Sequence, residues 1–144
     1  MQAAEMRLYP FYPKVLAFGG IILMGIGLYF IFLRPPLLPE DARYMNTTLA
    51  EIQAAAPSLS TWLQKVFWVM GGYIFTVGLL TVYIAFSSFQ ARARGVFPVI
   101  ALAGLSSIGW MTFVNFIIAS DFKWLLLLCA LPSVVALILY RIER

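Results

Sequence analysis

The side chains that carry out most protein chemistry are few in this sequence: one thiol, Cys129, six carboxylates and no imidazole. Without histidine, the commonest general base, the usual haem ligand and a frequent zinc or copper ligand are all missing. Cys129 lies inside an apolar run and has no second cysteine, so an intrachain disulfide is excluded and the residue reads as a small buried hydrophobe. Catalysis would have to rest on Glu40, Asp41 or Asp121, and no nucleophile and base pair accompanies them. A non-catalytic protein with no cofactor and no metal is the expectation.

Asn115 is the most polar side chain within an apolar run, and Thr112 precedes it by about one helical turn. An asparagine in lipid needs a partner, ordinarily on a neighbouring helix, in a bond worth roughly 0.5–2 kcal/mol. A second reading joins Thr112, Asn115 and Asp121, with Tyr44 or Glu40, into a polar pocket at the mouth of a bundle, where a ligand headgroup could bind. Tyr29, Tyr73 and Trp110 are the aromatics placed deeply enough to line a ligand, although each residue type serves more often in packing.

Ionisable groups in mid-bilayer mark many transporters and pumps, and the apolar runs here hold none. Small four-helix multidrug exporters rely on a carboxylate in the first span, vitamin-K-reductase-like enzymes on a Cys-x-x-Cys pair, and tetraspanins on loop cysteines. The sequence lacks each of these.

The elements that would position these residues follow from composition. Hydrophobic residues make up 62% of the chain and charged residues 11%, against about 45–50% and about 25% in a soluble domain. Water cannot accommodate so much apolar surface. The expected fold is an all-α integral membrane protein, a four-transmembrane-helix up-down bundle with a short interfacial amphipathic helix in its first loop. Residues 1–144 form one membrane domain, with spans near 15–33, 62–86, 96–119 and 124–140 and an outer loop over 34–61.

Pro10 and Pro13, among aromatic residues and Arg7, suggest an interfacial lead-in. Pro35, Pro36 and Pro39 predict extended, polyproline-like backbone. Thr48 and Glu51 have capping-box spacing, and Leu49, Ile52 and Ala56 then recur at helical intervals before Pro57. Thr61 with Gln64 suggests a second cap opening the next span, and Pro132 a bend in a last span that is short for the bilayer. Trp62, Trp68, Trp124 and Tyr140 fall near span ends, as interface belts do. Asn46-Thr47-Thr48 matches a glycosylation acceptor, a pattern short enough to arise by chance.

Small residues aligned on a helix face mark where backbones approach in lipid. Gly20 and Gly27 in the first span, and Gly71, Gly78 and Ala85 in the second, stand seven apart and predict that these helices pack together. Ala101, Gly104, Ile108, Thr112 and Asn115 share one face of the third span, expected to turn inward with them. Six basic residues, Arg7, Lys14, Arg92, Arg94, Arg141 and Arg144, fall on the side of the termini, and four, Arg34, Arg43, Lys65 and Lys123, on the other. That bias predicts cytoplasmic termini, in a bacterial inner membrane or an equivalent one. Arg92 and Arg94 are candidate contacts for anionic lipid, and the basic pI calls for no nucleic-acid partner.

Two functional expectations follow. The first is an accessory or assembly subunit of a larger complex, with membrane lipids and other integral membrane proteins as partners. The second is a binder or carrier of a lipid or other apolar small molecule.

Overall fold

The computed structural model describes residues 10–143, so most of the expected lead-in, with Arg7 and Tyr9, and the final Arg144 lie outside the described residues. Among the described residues all regular structure is helical. Four helices are long and apolar enough to cross a membrane: α1 (Tyr12–Phe32), α4 (Leu59–Phe89), α5 (Val96–Ile117) and α6 (Lys123–Ile142). Two short helices, α2 (Pro39–Tyr44) and α3 (Leu49–Ala55), occupy the first loop.

The first loop therefore holds two helices where one was expected, and its extended stretch ends sooner. Pro39 is no obstacle at a first helical position, where its missing N–H would have had no partner, and the Asp41 carboxylate reaches back to accept the Leu38 N–H at 2.8 Å. At α3 the capping pair forms reciprocally: Glu51 N–H donates to Thr48 Oγ1 at 3.2 Å, and Thr48 N–H donates to the Glu51 carboxylate at 3.0 Å. The Thr47 hydroxyl, followed by that Thr48 N–H, lowers the pKa of Glu51 below the ordinary glutamate value. None of the side chains of α3 is buried, so its apolar Leu49 and Ile52 do not enter the bundle.

Other boundaries differ from the sequence reading for local reasons. The second long helix starts at Leu59, two residues after Pro57, with Trp62 N–H bonded to Ser58 O at 3.1 Å, so Thr61 and Gln64 fall inside it. It runs on to Phe89 through a π turn at Ala85–Phe89, and α5 contains a second π turn at Leu105–Gly109. The last helix covers 20 residues with Pro132 inside it, longer than expected.

The closest packing joins α1 to α4. A methyl group built on Gly27 would lie 2.6 Å from the Phe75 backbone nitrogen and 2.7 Å from the Gly71 carbonyl oxygen. One on Gly78 would lie 2.6 Å from the Gly20 carbonyl oxygen. The obstructing atoms are backbone and cannot step aside, so glycine is what allows these helices to touch. Numbers rise along α1 as they fall along α4, an antiparallel crossing.

A neighbouring face of α1, about 100° round the helix, meets α6, where Gly19 leaves room for Pro132. α5 packs chiefly on α6, the space beside Gly104 being filled by the Ser133 side chain at 3.6 Å. The small-residue face of the third span does turn inward, with Ile108 and Thr112 buried and Asn115 lining the interior, but along most of its length it meets α6 rather than α1 and α4. α1 packs on α4 and on α6, and the long helices lie in the order α4, α1, α6, α5.

At the end near the termini all four come together. Tyr12, Leu16 and Ala17 from α1, Ala85 and Phe89 from α4, Val96 and Ile100 from α5 and Ala136 from α6 form one buried cluster. Tyr12 meets Phe89 and Tyr140 edge-on, and Phe89 stacks on Tyr140 with centroids 4.6 Å apart. The Tyr12 hydroxyl donates to Gln90 O at 2.9 Å.

The α1–α4 contact should respond sharply to a single methyl group. Gly27→Ala and Gly78→Ala should each lower stability by about 1–3 kcal/mol through overpacking, seen as earlier thermal unfolding in mild detergent. Gly72→Ala, where nothing lies within 4 Å of the added carbon, should leave it unchanged or slightly raised.

Candidate functional site

Because α4 is held by α1 and α5 by α6, the two outermost helices are drawn together at the terminal end and separate toward the first loop. Between them lies a cleft of about 850 Å³. Its walls follow helical spacing: Phe67, Met70, Ile74 and Val77 on α4, and Ser107, Met111 and Val114 on α5, with Ile118 just past its end. Ile22, Ile26 and Tyr29 of α1, with Leu125, Leu126 and Cys129 of α6, make the back. Tyr73 and Trp110, 72% and 61% exposed, line it as well, so the cleft opens sideways between α4 and α5.

The lining is mainly apolar, interrupted on α5 by Ser106, Ser107 and Asn115, whose polar groups bond to carbonyls of their own helix, and it is charged at one end, where Arg34, Glu40 and Asp41 lie. Glu40 is buried, its carboxylate accepting the Ser120 hydroxyl at 2.8 Å and the Asp121 N–H at 3.0 Å. These bonds tie the first loop to the turn between α5 and α6. Arg43 and Asp121 pair beside them at 3.0 Å, in an exposed position where such a pair contributes little. Arg34 is half-buried, its guanidinium 3.6 Å above the Phe67 ring and 5.3 Å from that of Phe30. Burial lowers its pKa, with attraction to Asp41 opposing the shift.

The residues singled out from sequence are dispersed by the fold. Asn115 lines the cleft, and its amide donates to Met111 O at 2.8 Å, within its own helix. Thr112 is buried and bonds to Ile108 O at 2.8 Å. Asp121 faces Arg43 outside the lining. The three do not converge, and the polar groups that do meet the cleft's end are Arg34, Glu40 and Asp41. Tyr29, Tyr73 and Trp110 all line it.

At the terminal end Arg92 donates to Tyr140 O at 2.9 Å and Glu143 O at 2.8 Å, and lies over the Tyr12 and Tyr140 rings. It thereby caps the C-terminus of α6, where a cation is favoured, while Arg94 is exposed. Ala85 belongs to the buried cluster and Gly104 to the α5–α6 contact. No group of three or more Cys, Asp or Glu side chains gathers as a metal donor set among the described residues.

The chain matches no family model, no curated protein and no solved structure.

The tie across the cleft's charged end makes a testable difference between substitutions. Glu40→Ala should leave the Ser120 hydroxyl and the Asp121 N–H without an acceptor, at about 1–3 kcal/mol. Hydrogen exchange at Asp121 and proteolysis of the first loop should both accelerate, whereas Glu40→Gln, which keeps an acceptor, should change them less. Equal rates in wild type and Glu40→Ala would show that the tie is not formed.

Proposed function

We propose that this chain is a membrane-spanning, up-down four-helix bundle that holds a lipid or another apolar small molecule between α4 and α5. The observation that carries the reading is the polarity of the cleft, mainly apolar along its walls and charged at one end. An amphiphile divides in the same way. The volume of about 850 Å³ falls within the range of roughly 300–1,000 Å³ typical of small-molecule sites. Its sideways opening would let a ligand arrive from within the bilayer without crossing water.

The termini are assigned to the cytoplasmic side from the distribution of basic residues, six against four, in a bacterial inner membrane or an equivalent one. The charged end of the cleft then meets the opposite headgroup layer, with α2 and α3 on that surface. No catalytic role is assigned, and the protein acts by binding.

An accessory-subunit role draws on the same opening, since the exposed Tyr73 and Trp110 offer aromatic surface to a helix of another membrane protein. Ligand binding is preferred because Arg34 at the charged end gives the cleft a polarity that helix packing alone would not need.

Filling the cleft separates the two. The Val114 side chain lines it and is 37% exposed, so Val114→Trp adds bulk without entering a packed core. Native mass spectrometry of the gently extracted protein should show one lipid or apolar molecule per chain in wild type and about tenfold less in the variant, a difference of about 1.4 kcal/mol. Thermal unfolding should be unchanged. A wild-type protein that carries no such molecule and travels in a defined hetero-oligomer would favour the accessory role.

A further inference from the structure

Hydrogen-bonding capacity at the charged end of the cleft is unevenly used. Both Glu40 oxygens are engaged, by the Ser120 hydroxyl and the Asp121 N–H, and one Asp41 oxygen accepts the Leu38 N–H. Arg34, by contrast, carries five N–H donors, and among the described residues one bond is formed, from Nη1 to Pro35 O at 3.0 Å. No carboxylate of the described residues lies within ion-pair distance of it. The Phe67 ring lies 3.6 Å beneath the guanidinium carbon, and the remaining donors stand beside an apolar slot.

We propose that Arg34 anchors the headgroup of the cleft's occupant, and that this occupant is a phosphodiester-headed membrane lipid whose acyl chains lie between α4 and α5. The inference rests on the cleft reading and specifies its ligand. A planar fork of donors suits a phosphate, whose oxygens accept two parallel N–H bonds. Burial strengthens the case, since a guanidinium removed from water gains more from a charged acceptor than one at the open surface. The same position at the end of α1 puts the group at headgroup depth when α1 spans the bilayer.

The test is native mass spectrometry of the full chain in mild detergent, with equal amounts of dioleoylphosphatidylglycerol and dioleoylglycerol, which share acyl chains and differ in the phosphate. Wild type should retain the phospholipid about tenfold better, the scale of a charge-assisted hydrogen-bonded pair. Arg34→Gln should abolish that preference while keeping its retention of dioleoylglycerol, and Arg34→Lys should keep part of it. Inorganic phosphate in excess should not displace the phospholipid.

Equal retention of the two lipids by wild type would overturn the assignment of Arg34 and leave the cleft reading standing. Retention of neither would remove both. Loss of both lipids in Arg34→Gln would make Arg34 a support of the cleft wall and overturn its role as headgroup anchor, as would displacement by inorganic phosphate, which would make a free anion the ligand.

Discussion

Backbone contact between α1 and α4 sets the rest of the structure. In lipid no hydrophobic force draws one apolar helix to another, so association depends on close van der Waals approach and hydrogen bonds. Gly20 and Gly27 lie against Gly78 and Gly71 so closely that a single methyl on Gly27 or Gly78 would overlap main-chain atoms. That contact leaves one face of α1 free for α6, through Gly19 and Pro132. α5 leans on α6 along most of its length. The cleft is the space left between two helices that each have a stronger partner elsewhere.

The two ends of the molecule are built from different interactions. Near the termini, aromatic stacking and Arg92 draw all four long helices together, and Tyr12, Phe89 and Tyr140 fill the centre. At the loop end the ties are polar and run around the cleft: Glu40 to Ser120 and Asp121, and Arg43 to Asp121. Apolar packing closes one end, while hydrogen bonds hold the other without filling it. That division gives the cleft an apolar interior and a charged rim at once.

Four apolar helices are legible in the sequence because a run of about 20 uncharged residues has few other uses, and the glycines of α1 and α4 stand out because their spacing repeats at seven. The partner of α5 is harder to read. Ala101, Gly104 and Ile108 do share a face, but periodicity says which face is small and not which helix it meets. Boundaries shift where a local rule has two outcomes, as at Pro39, which begins a helix here rather than prolonging an extended stretch. The charged end of the cleft is the least legible part. Arg34 has the look of an ordinary cation closing a span, and nothing nearby in sequence signals that Phe67 will lie beneath it or that Glu40 will be buried against residues 80 positions away. Those contacts exist only once α4 is seated on α1 and the turn after α5 is brought under the first loop.

The arrangement closed near the termini and open toward the first loop is tested most directly by cysteine crosslinking in native membranes, with Cys129 replaced by serine. A carbon at Gly104 would lie 3.6 Å from the Ser133 Cβ, within disulfide reach, so Gly104→Cys with Ser133→Cys should crosslink under mild oxidation. Phe67→Cys with Val114→Cys, on opposite walls of the cleft, should not form a direct disulfide, because Cα atoms more than about 7 Å apart cannot be bridged without backbone movement. A longer bifunctional reagent should still join them. Efficient direct disulfide formation between positions 67 and 114 would mean that α4 and α5 lie together along the loop end, and would contradict the cleft on which the account of this protein depends.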